Sequence, residues 1–419
     1  IRVGAINDIE VISNKYAVGL LGSGGWPGND HSGFASYAQI GHGGDRDAVA
    51  NMELTGEIVV EAGRDLTGSG GKTRENFVLI GHGGYDNATS TSAKLGGDIV
   101  VTVGNNLSMS GGQGIHSFAQ IGHGGARHPV LDFAVSDITV TAGGDITLRG
   151  GAGGAGGSSN GAHARIGHGG YDSPVQTSGS GYAGDIHVIA DGNLAMLSGG
   201  GGSAYNYAQI GHGGIRIAGD HSGDICVVAG TGAILDSSAT TGSYGYAQIG
   251  HGGESSAGNH DGDINVVAPD GSLSLVGGSG TGRYAHIGHG GTNSGGDLGG
   301  EITVVADNGG DLALAGGNSA SSYAMIGHGD GAGATTGGSR EGGMRLFAGG
   351  TLSATNGAGL FNTSILHQSN GGLAPGDYLG GNGFQLWANG GITLPDSALN
   401  GLNTMVNGNL AAGPISLAL

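Results

Sequence analysis

Nine histidines recur along the chain at intervals of 38 to 45 residues, eight of them in copies of a Tyr-Ala-Gln-Ile-Gly-His-Gly-Gly motif. They are His42, His82, His123, His168, His212, His251, His289, His328 and, in a degraded copy, His367. A zinc site needs three or four ligands that converge at about 2.0–2.3 Å. Coils stacked about 4.8 Å apart would instead spread the imidazoles in a row. The pattern therefore favours a structural ladder bonded to turn backbone, with metal binding as the alternative.

Acidic residues form a second column, in which each acid opens a stretch of the form Asp-Ile-x-Val-x-Ala. They are Asp8, Glu57, Asp98, Asp137, Asp185, Asp224, Asp263 and Glu301. Stacked carboxylates repel one another, so they must accept N–H groups of the turns or share cations such as calcium. Backbone capping is the preferred interpretation. The weaker calcium candidates are Asp98, Asp137, Asp185, Asp224 and Asp263, and no other cofactor is predicted.

Aromatic residues form a third column at the first position of the motif. They are Tyr37, Phe77, Phe118, Tyr207, Tyr246, Tyr284 and Tyr323, and His163 takes the place of an aromatic in one copy. Alternation along a strand places this column opposite Ala38 and Ile40, which would face the core. Either a glycine-rich loop covers the rings, which is the preferred interpretation, or they offer a stacking surface to sugars.

Three short apolar stretches per repeat must position these columns. The first is the Asp-Ile-x-Val-x-Ala stretch, with copies at Asp8–Ser13 and Glu57–Ala62 among others. The second resembles Asn-Leu-Ser-Met at Asn106, and the third is the histidine motif. A period near 40 residues with three short strands predicts an all-β parallel β-helix of about nine to ten coils. A β-propeller fits less well, because its blades need four antiparallel strands.

The period also predicts how the chain is organised. The repeats with the Ile-Gly-His-Gly-Gly signature occupy residues 1–341 and should form one solenoid. Residues 342–419 carry almost no charge and three of the seven prolines. We expect that segment to form degenerate terminal coils or a cap, or to mark a transition to a further domain.

Composition excludes several classes of function. A net charge of −19 with only 14 Lys and Arg argues against nucleic acid and anionic membrane surfaces as partners. A single cysteine, Cys226, excludes an intrachain disulfide framework, and no apolar run is long enough for a membrane span. No nucleophile elbow, phosphate loop or HExxH motif occurs, so no catalytic residue is predicted. A β-helical polysaccharide lyase or hydrolase is the enzymatic alternative.

The stretch Ser136–Leu148, followed by Ala-x-Ile-Gly-His-Gly-Gly, resembles the repeats of filamentous-haemagglutinin-like exoproteins, the bacterial adhesins of two-partner secretion. The likeness covers roughly Asp8 to Asp330. It implies a right-handed β-helical shaft that is exported through an outer-membrane partner and displayed at the cell surface. No amino-terminal secretion domain of that family is recognisable.

The repeats together with this resemblance imply a structural protein that is secreted or exposed on a bacterial surface, an adhesin or fibre shaft. The strand-like copy at Asp8–Ser13 leaves few residues before it for a cap. We therefore expect the protein itself, end to end, or the rest of a larger precursor, to cover that edge. A host or matrix carbohydrate or protein is a further candidate partner, and a repetitive carbohydrate- or calcium-binding module is the non-enzymatic alternative.

Overall fold

The structure, a computed structural model, describes residues 1–12, 37–45, 52–85, 93–128, 130–152, 161–172, 180–200, 204–239, 242–319, 321–330, 338–357, 363–364 and 384–395. These residues form strands, turns and irregular segments without a helix. Strands of successive coils pair in parallel, like upon like, so the predicted all-β parallel solenoid is confirmed.

Two ten-stranded parallel sheets form two sides of the solenoid. The first sheet consists of Arg2–Ala5, Ile58–Ala62, Ile99–Val103, Ile138–Ala142, Ile186–Ala190, Ile225–Ala229, Ile264–Ala268, Ile302–Ala306, Met344–Ala348 and Phe384–Ala388. The second sheet consists of Ile9–Ile12, Leu66–Ser69, Leu107–Ser110, Ile146–Arg149, Asn193–Leu197, Gly232–Asp236, Ser272–Val276, Leu312–Ala315, Thr351–Thr355 and Gly391–Thr393.

The third sheet has nine strands and contains the Ala-x-Ile part of the histidine motif. Its strands are Tyr37–Ile40, Phe77–Ile80, Ala119–Ile121, Ala164–Ile166, Ala208–Ile210, Ala247–Ile249, Ala285–Ile287, Ala324–Ile326 and Thr363–Ser364. Ile, Val, Leu and Ala side chains of the three sheets meet in one continuous apolar core. Burial of this core is the main driving force for folding.

Further strands follow the histidine, which the three-strand prediction did not include. The fourth sheet is built from the glycines after each histidine, at Gly43–Asp45, Gly83–Tyr85, Gly124–Ala126, Gly169–Tyr171 and Gly213–Ile215. The fifth sheet, Met52–Thr55, Ala93–Gly96 and Val130–Phe133, and the sixth, Ser180–Ala183, Asp220–Ser222, His260–Asp261 and Leu298–Gly299, lead back to the first sheet. Glycine-rich segments are poor strand predictors, which explains why these elements were missed.

The assignment of Asp8–Ser13 to the first sheet was wrong. Ile9–Ile12 pairs with Leu66–Ser69 of the second sheet, and Arg2–Ala5 is the first-sheet strand of that coil, paired with Ile58–Ala62. Asp8 accordingly accepts the N–H of Asp65 and not of Glu57. Both strand types begin with an acid and an aliphatic residue, so local sequence did not separate them.

The number of coils differs slightly from the expected nine to ten. About seven turns are formed, and among the described residues the coils after Gly299 show strands of the first three sheets alone. The first sheet continues through Phe384–Ala388 and the second through Gly391–Thr393, inside the segment 342–419 that was expected to form terminal coils, a cap or a transition. No helix in the described part of the chain has the length and apolarity needed to cross a membrane.

Candidate functional site

The histidine side chains form one stacked column at the turn between the third and fourth sheets. Seven ring pairs from His42 to His328 lie 4.8–5.0 Å apart between centroids, with planes 1–12° from parallel. The ring of His42 is exposed, and the rings from His82 to His328 are buried. His367 lies outside the described residues.

Both ring nitrogens of the buried histidines bond to backbone. The N–H of each histidine donates to Nδ1 of the histidine in the next coil over 2.9–3.1 Å. Nε2 lies 2.7–3.0 Å from a carbonyl oxygen of the turn that precedes the first sheet. Because Nδ1 accepts, the proton must reside on Nε2, and the ring is neutral.

Burial of these rings lowers the histidine pKa strongly. Desolvation is the main cause, and it lowers the pKa of His82 to about 4 and those of His123 and His212 to about 3. The pKa values of His168, His251 and His289 are also well below 6.5. No lone pair of such a ring is available to a metal, because Nδ1 already accepts an N–H and Nε2 carries the proton.

The acidic column caps backbone in the way that the sequence suggested. Oδ1 of Asp98, Asp137, Asp185, Asp224 and Asp263 each accepts the N–H of the acid in the following coil over 2.8–3.0 Å. A matching ladder opens the second sheet, where Asp65, Asn106 and Asp145 accept N–H groups. Within the described ranges, no three His, Cys, Asp or Glu side chains are grouped to hold a metal ion.

The aromatic column is buried between the third and fourth sheets. Tyr37, Phe77, Phe118, His163, Tyr207, Tyr246, Tyr284 and Tyr323 stack with centroids 4.6–5.0 Å apart. None of these rings is more than 6% exposed, and they share an apolar cluster with Tyr85, Ala126 and Ile215 beyond them. The rings therefore present no face on which a sugar could stack.

The glutamine at the third position of the motif forms hydrogen bonds to the histidine turns, a role that was not predicted from the sequence. Nε2 of Gln120 donates to carbonyl oxygens of His123, Gly167 and Gly169, and so ties the turn of its own coil to the next one. Arg165 stands at this position in one coil and donates to the three equivalent oxygens, those of His168, Gly211 and Gly213. Recurrence of Gln in four motif copies was the available signal.

Arg165 supports a stability prediction, because its charge is fully buried. Burial lowers its pKa, and among the described residues it forms no ion pair. Arg165→Gln keeps donors to the same carbonyls without the charge, so we expect the free energy of unfolding to rise by about 1–2 kcal/mol. Arg165→Leu removes those donors and should lower it. Urea unfolding at pH 8 measures both, and a less stable Arg165→Gln variant would contradict the prediction.

A second, outer edge carries side chains that the repeat pattern did not reveal. Rings of Tyr85, His116, Tyr171, Tyr205 and Tyr244 follow one another with centroids 5.0–6.1 Å apart. Three exposed arginines, Arg74, Arg127 and Arg216, lie along the same turns, and the Arg216 guanidinium carbon is 4.8 Å from the Tyr205 ring centroid. Tyr205 and Tyr244 are partly exposed, unlike the aromatic column.

Left-handed backbone conformations explain how this edge forms. His116, Tyr205 and Tyr244 have φ of 54–66°, and they occupy the same turn in different coils. Arg127 and Arg216 have φ of 55–56° in a second turn beside it. Non-glycine residues rarely adopt such angles, and the local sequence does not predict them. This edge could therefore not be predicted from the spacing of the repeats.

Comparisons with known proteins place the chain in no family. No protein-family model, no curated protein and no solved structure matches it.

Proposed function

We propose that the protein is a structural element of a bacterial surface or secreted fibre, as its resemblance to filamentous-haemagglutinin-like repeats implies. The observation that carries the proposal is that the recurring histidine and aspartate side chains form hydrogen bonds inside the solenoid. Nδ1 of the buried histidines and one oxygen of each capping aspartate connect one coil to the next, and Nε2 of the histidines joins two turns of the same coil. Such a chain is built for regular continuation along its axis.

The open edges of the sheets support continuation as well. In the described structure, Arg2–Ala5, Ile9–Ile12 and Tyr37–Ile40 are the first strands of their sheets and have a neighbour on one side. Ten strands spaced about 4.8 Å apart give a rod only about 43 Å long. A longer shaft would form if another copy added its strands to these edges.

The enzymatic alternative requires a different arrangement. A polysaccharide lyase or hydrolase needs an acid and a base beside an open groove. The histidines of the column face backbone, and the stacked rings are covered, so neither column supplies such a pair. An adhesive surface, if the shaft binds carbohydrate, would use the exposed edge with Tyr205, Tyr244 and Arg216, where rings and guanidinium groups reach solvent.

Electron microscopy of the purified protein tests the shaft. We expect rods of constant width whose lengths increase in steps of one molecule as the concentration rises. Glu10→Pro should stop this growth, because the N–H of Ile9 points to the neighbouring strand and that of Glu10 to the open edge. Glu10→Ala is the control and should still grow. Single particles that depolymerise an acidic polysaccharide would contradict the proposal and favour the lyase.

A further inference from the structure

One outward-facing column of the first sheet is apolar over six consecutive coils. The column consists of Ile189, Val228, Val267, Val305, Phe347 and Trp387, paired in register from strand to strand. Ile189 is 37% exposed and Trp387 54%, and the four residues between them are half-buried. We call this column the apolar stripe. Alternation along the strands places it on the face opposite the core.

The same column is polar in the preceding coils. There the equivalent residues are Gly4, Glu61, Thr102 and Thr141. The change to Ile, Val, Phe and Trp is thus confined to one part of the solenoid, although the inward residues keep the same character throughout. Such a row gains contacts between neighbouring strands but still leaves apolar surface in water, which makes it a candidate for a surface that a partner covers.

The charges around the stripe favour a partner that is itself weakly charged there. The neighbouring outward column in these coils contains His187, Cys226, Asn265, Thr303, Arg345 and Gln385, in which the Arg345 guanidinium pairs with Glu301 at 3.1 Å. The chain as a whole carries a net charge of −19. Because most of the side chains in this neighbouring column are uncharged, two copies can approach each other at this face although each carries a net negative charge.

We infer that the apolar stripe is the contact between two copies of this chain that lie side by side with their axes parallel. A two-fold axis along the stripe brings each stripe residue opposite itself, and a straight row of even spacing is complementary to its own copy. The acidic column lies about 13 Å to one side, since four residues separate Asp263 from Val267. The two acidic columns then stand about 26 Å apart. The exposed Asp191 and Asp307 lie two residues beyond the stripe on its other side, about 13 Å from their copies. Both distances exceed the screening length of about 8 Å at physiological salt.

The size of the face indicates a reversible dimer. Strands of five residues span about 16 Å, and six strands span about 29 Å, so two faces bury at most about 900 Å². That area is at the lower limit of specific interfaces, and the pairing should depend on concentration. Lateral pairing through the stripe is separate from end-to-end growth, because the stripe and the strand edges are different surfaces.

Analytical ultracentrifugation tests the pairing, with Glu10→Pro as the background so that end-to-end growth does not interfere. We expect the mass to rise from 40.5 kDa toward twice that value with concentration. Val267→Glu and Val305→Glu should each weaken the dimer at least about tenfold, because a charge enters the contact twice. Thr102→Glu and Thr141→Glu, at the same column in the polar coils, are the matched controls and should change nothing. Equal effects of the two pairs would overturn the inference.

A disulfide test addresses the two-fold axis directly. In a Cys226→Ser background, Val267→Cys should form an intermolecular disulfide on mild oxidation, because the axis brings the two thiols together. Thr102→Cys is the control and should stay monomeric. A chain that is monomeric at every concentration, with the Val267→Cys thiol protected from alkylation, would mean that another part of the same chain covers the stripe. That result would overturn the inference, and so would an accessible thiol that fails to cross-link.

Discussion

Acid is expected to unfold the solenoid between pH 6.5 and about 4, through the buried histidine column. Burial lowers the pKa of His82 from 6.5 to about 4, and that of His123 to about 3. The unfolded chain then binds more protons than the folded one as the pH falls below 6.5. Stability is therefore complete above pH 6.5 and is lost progressively until the pH reaches the folded-state pKa values.

The expected size of this effect is large. At pH 5, each histidine with a folded-state pKa of 4 or below costs about 2 kcal/mol relative to pH 7. Six column members have strongly lowered pKa values, His82, His123, His168, His212, His251 and His289. For His82, His123 and His212 together the loss is about 6 kcal/mol, comparable with the stability of an ordinary domain, and the lowered pKa values of His168, His251 and His289 act in the same direction. Protonation of Nδ1 would also place its proton against the N–H group that donates to this nitrogen. The hydrogen bond between successive coils would then be lost.

Urea unfolding followed by circular dichroism at pH 7.5, 6.5, 5.5 and 4.5 measures the loss. His212→Gln removes one titrating group from the column and should reduce the dependence on pH, and His187→Gln, at an exposed site outside the column, is the matched comparison. Burial raises the pKa of Glu254, and this carboxyl opposes the trend, but it is a single group. Stability that stays constant from pH 7.5 to 5 would show that the column is not buried.

Much of the fold could be predicted from the sequence because the repeats show the same pattern of apolar, acidic and histidine residues. One strand such as Ile138–Ala142 is a weak signal, but seven copies in the first sheet, each with an acid before it and alternating aliphatic residues, predict a parallel stack. The chemical roles of the histidines and acids followed from geometry, since stacked coils bring identical side chains about 4.8 Å apart. Backbone partners were then the natural solution for both columns.

The features that sequence did not reveal depend on contacts between different parts of a coil. The strand Gly124–Ala126 contains two glycines, and its pairing with Gly83–Tyr85 arises from the turn at the histidine and not from strand propensity. The edge with Tyr205 and Arg216 brings together residues from two turns with left-handed backbone. The apolar stripe could not be predicted because outward residues vary from coil to coil. The change from Thr141 to Ile189 could be interpreted only after the strand register was known.

The glycine before each histidine should be the least replaceable residue of the solenoid. Gly250 has φ of +151°, and an added Cβ would lie on the carbonyl group of Gly288 in the next coil. The N–H of Gly250 also donates to the carbonyl of Ile210 over 2.9 Å, so the backbone cannot move away without breaking the ladder. We expect Gly250→Ala to lower the free energy of unfolding by about 4 kcal/mol, from backbone strain and steric overlap together.

Gly56→Ala separates these two causes. Gly56 has φ of +123°, yet nothing lies within 4 Å of the Cβ that the substitution adds. It should therefore cost only the backbone strain, about 1–2 kcal/mol. Urea unfolding of both variants measures the difference between their free energies of unfolding. Hydrogen exchange at the His212 amide shows whether the loss lies at the histidine turn, because this amide donates to Nδ1 of His251 beside Gly250. Equal losses in the two variants would mean that adjacent coils are not in close backbone contact at the histidine turn, and the column would then lack the support that holds its rings in register.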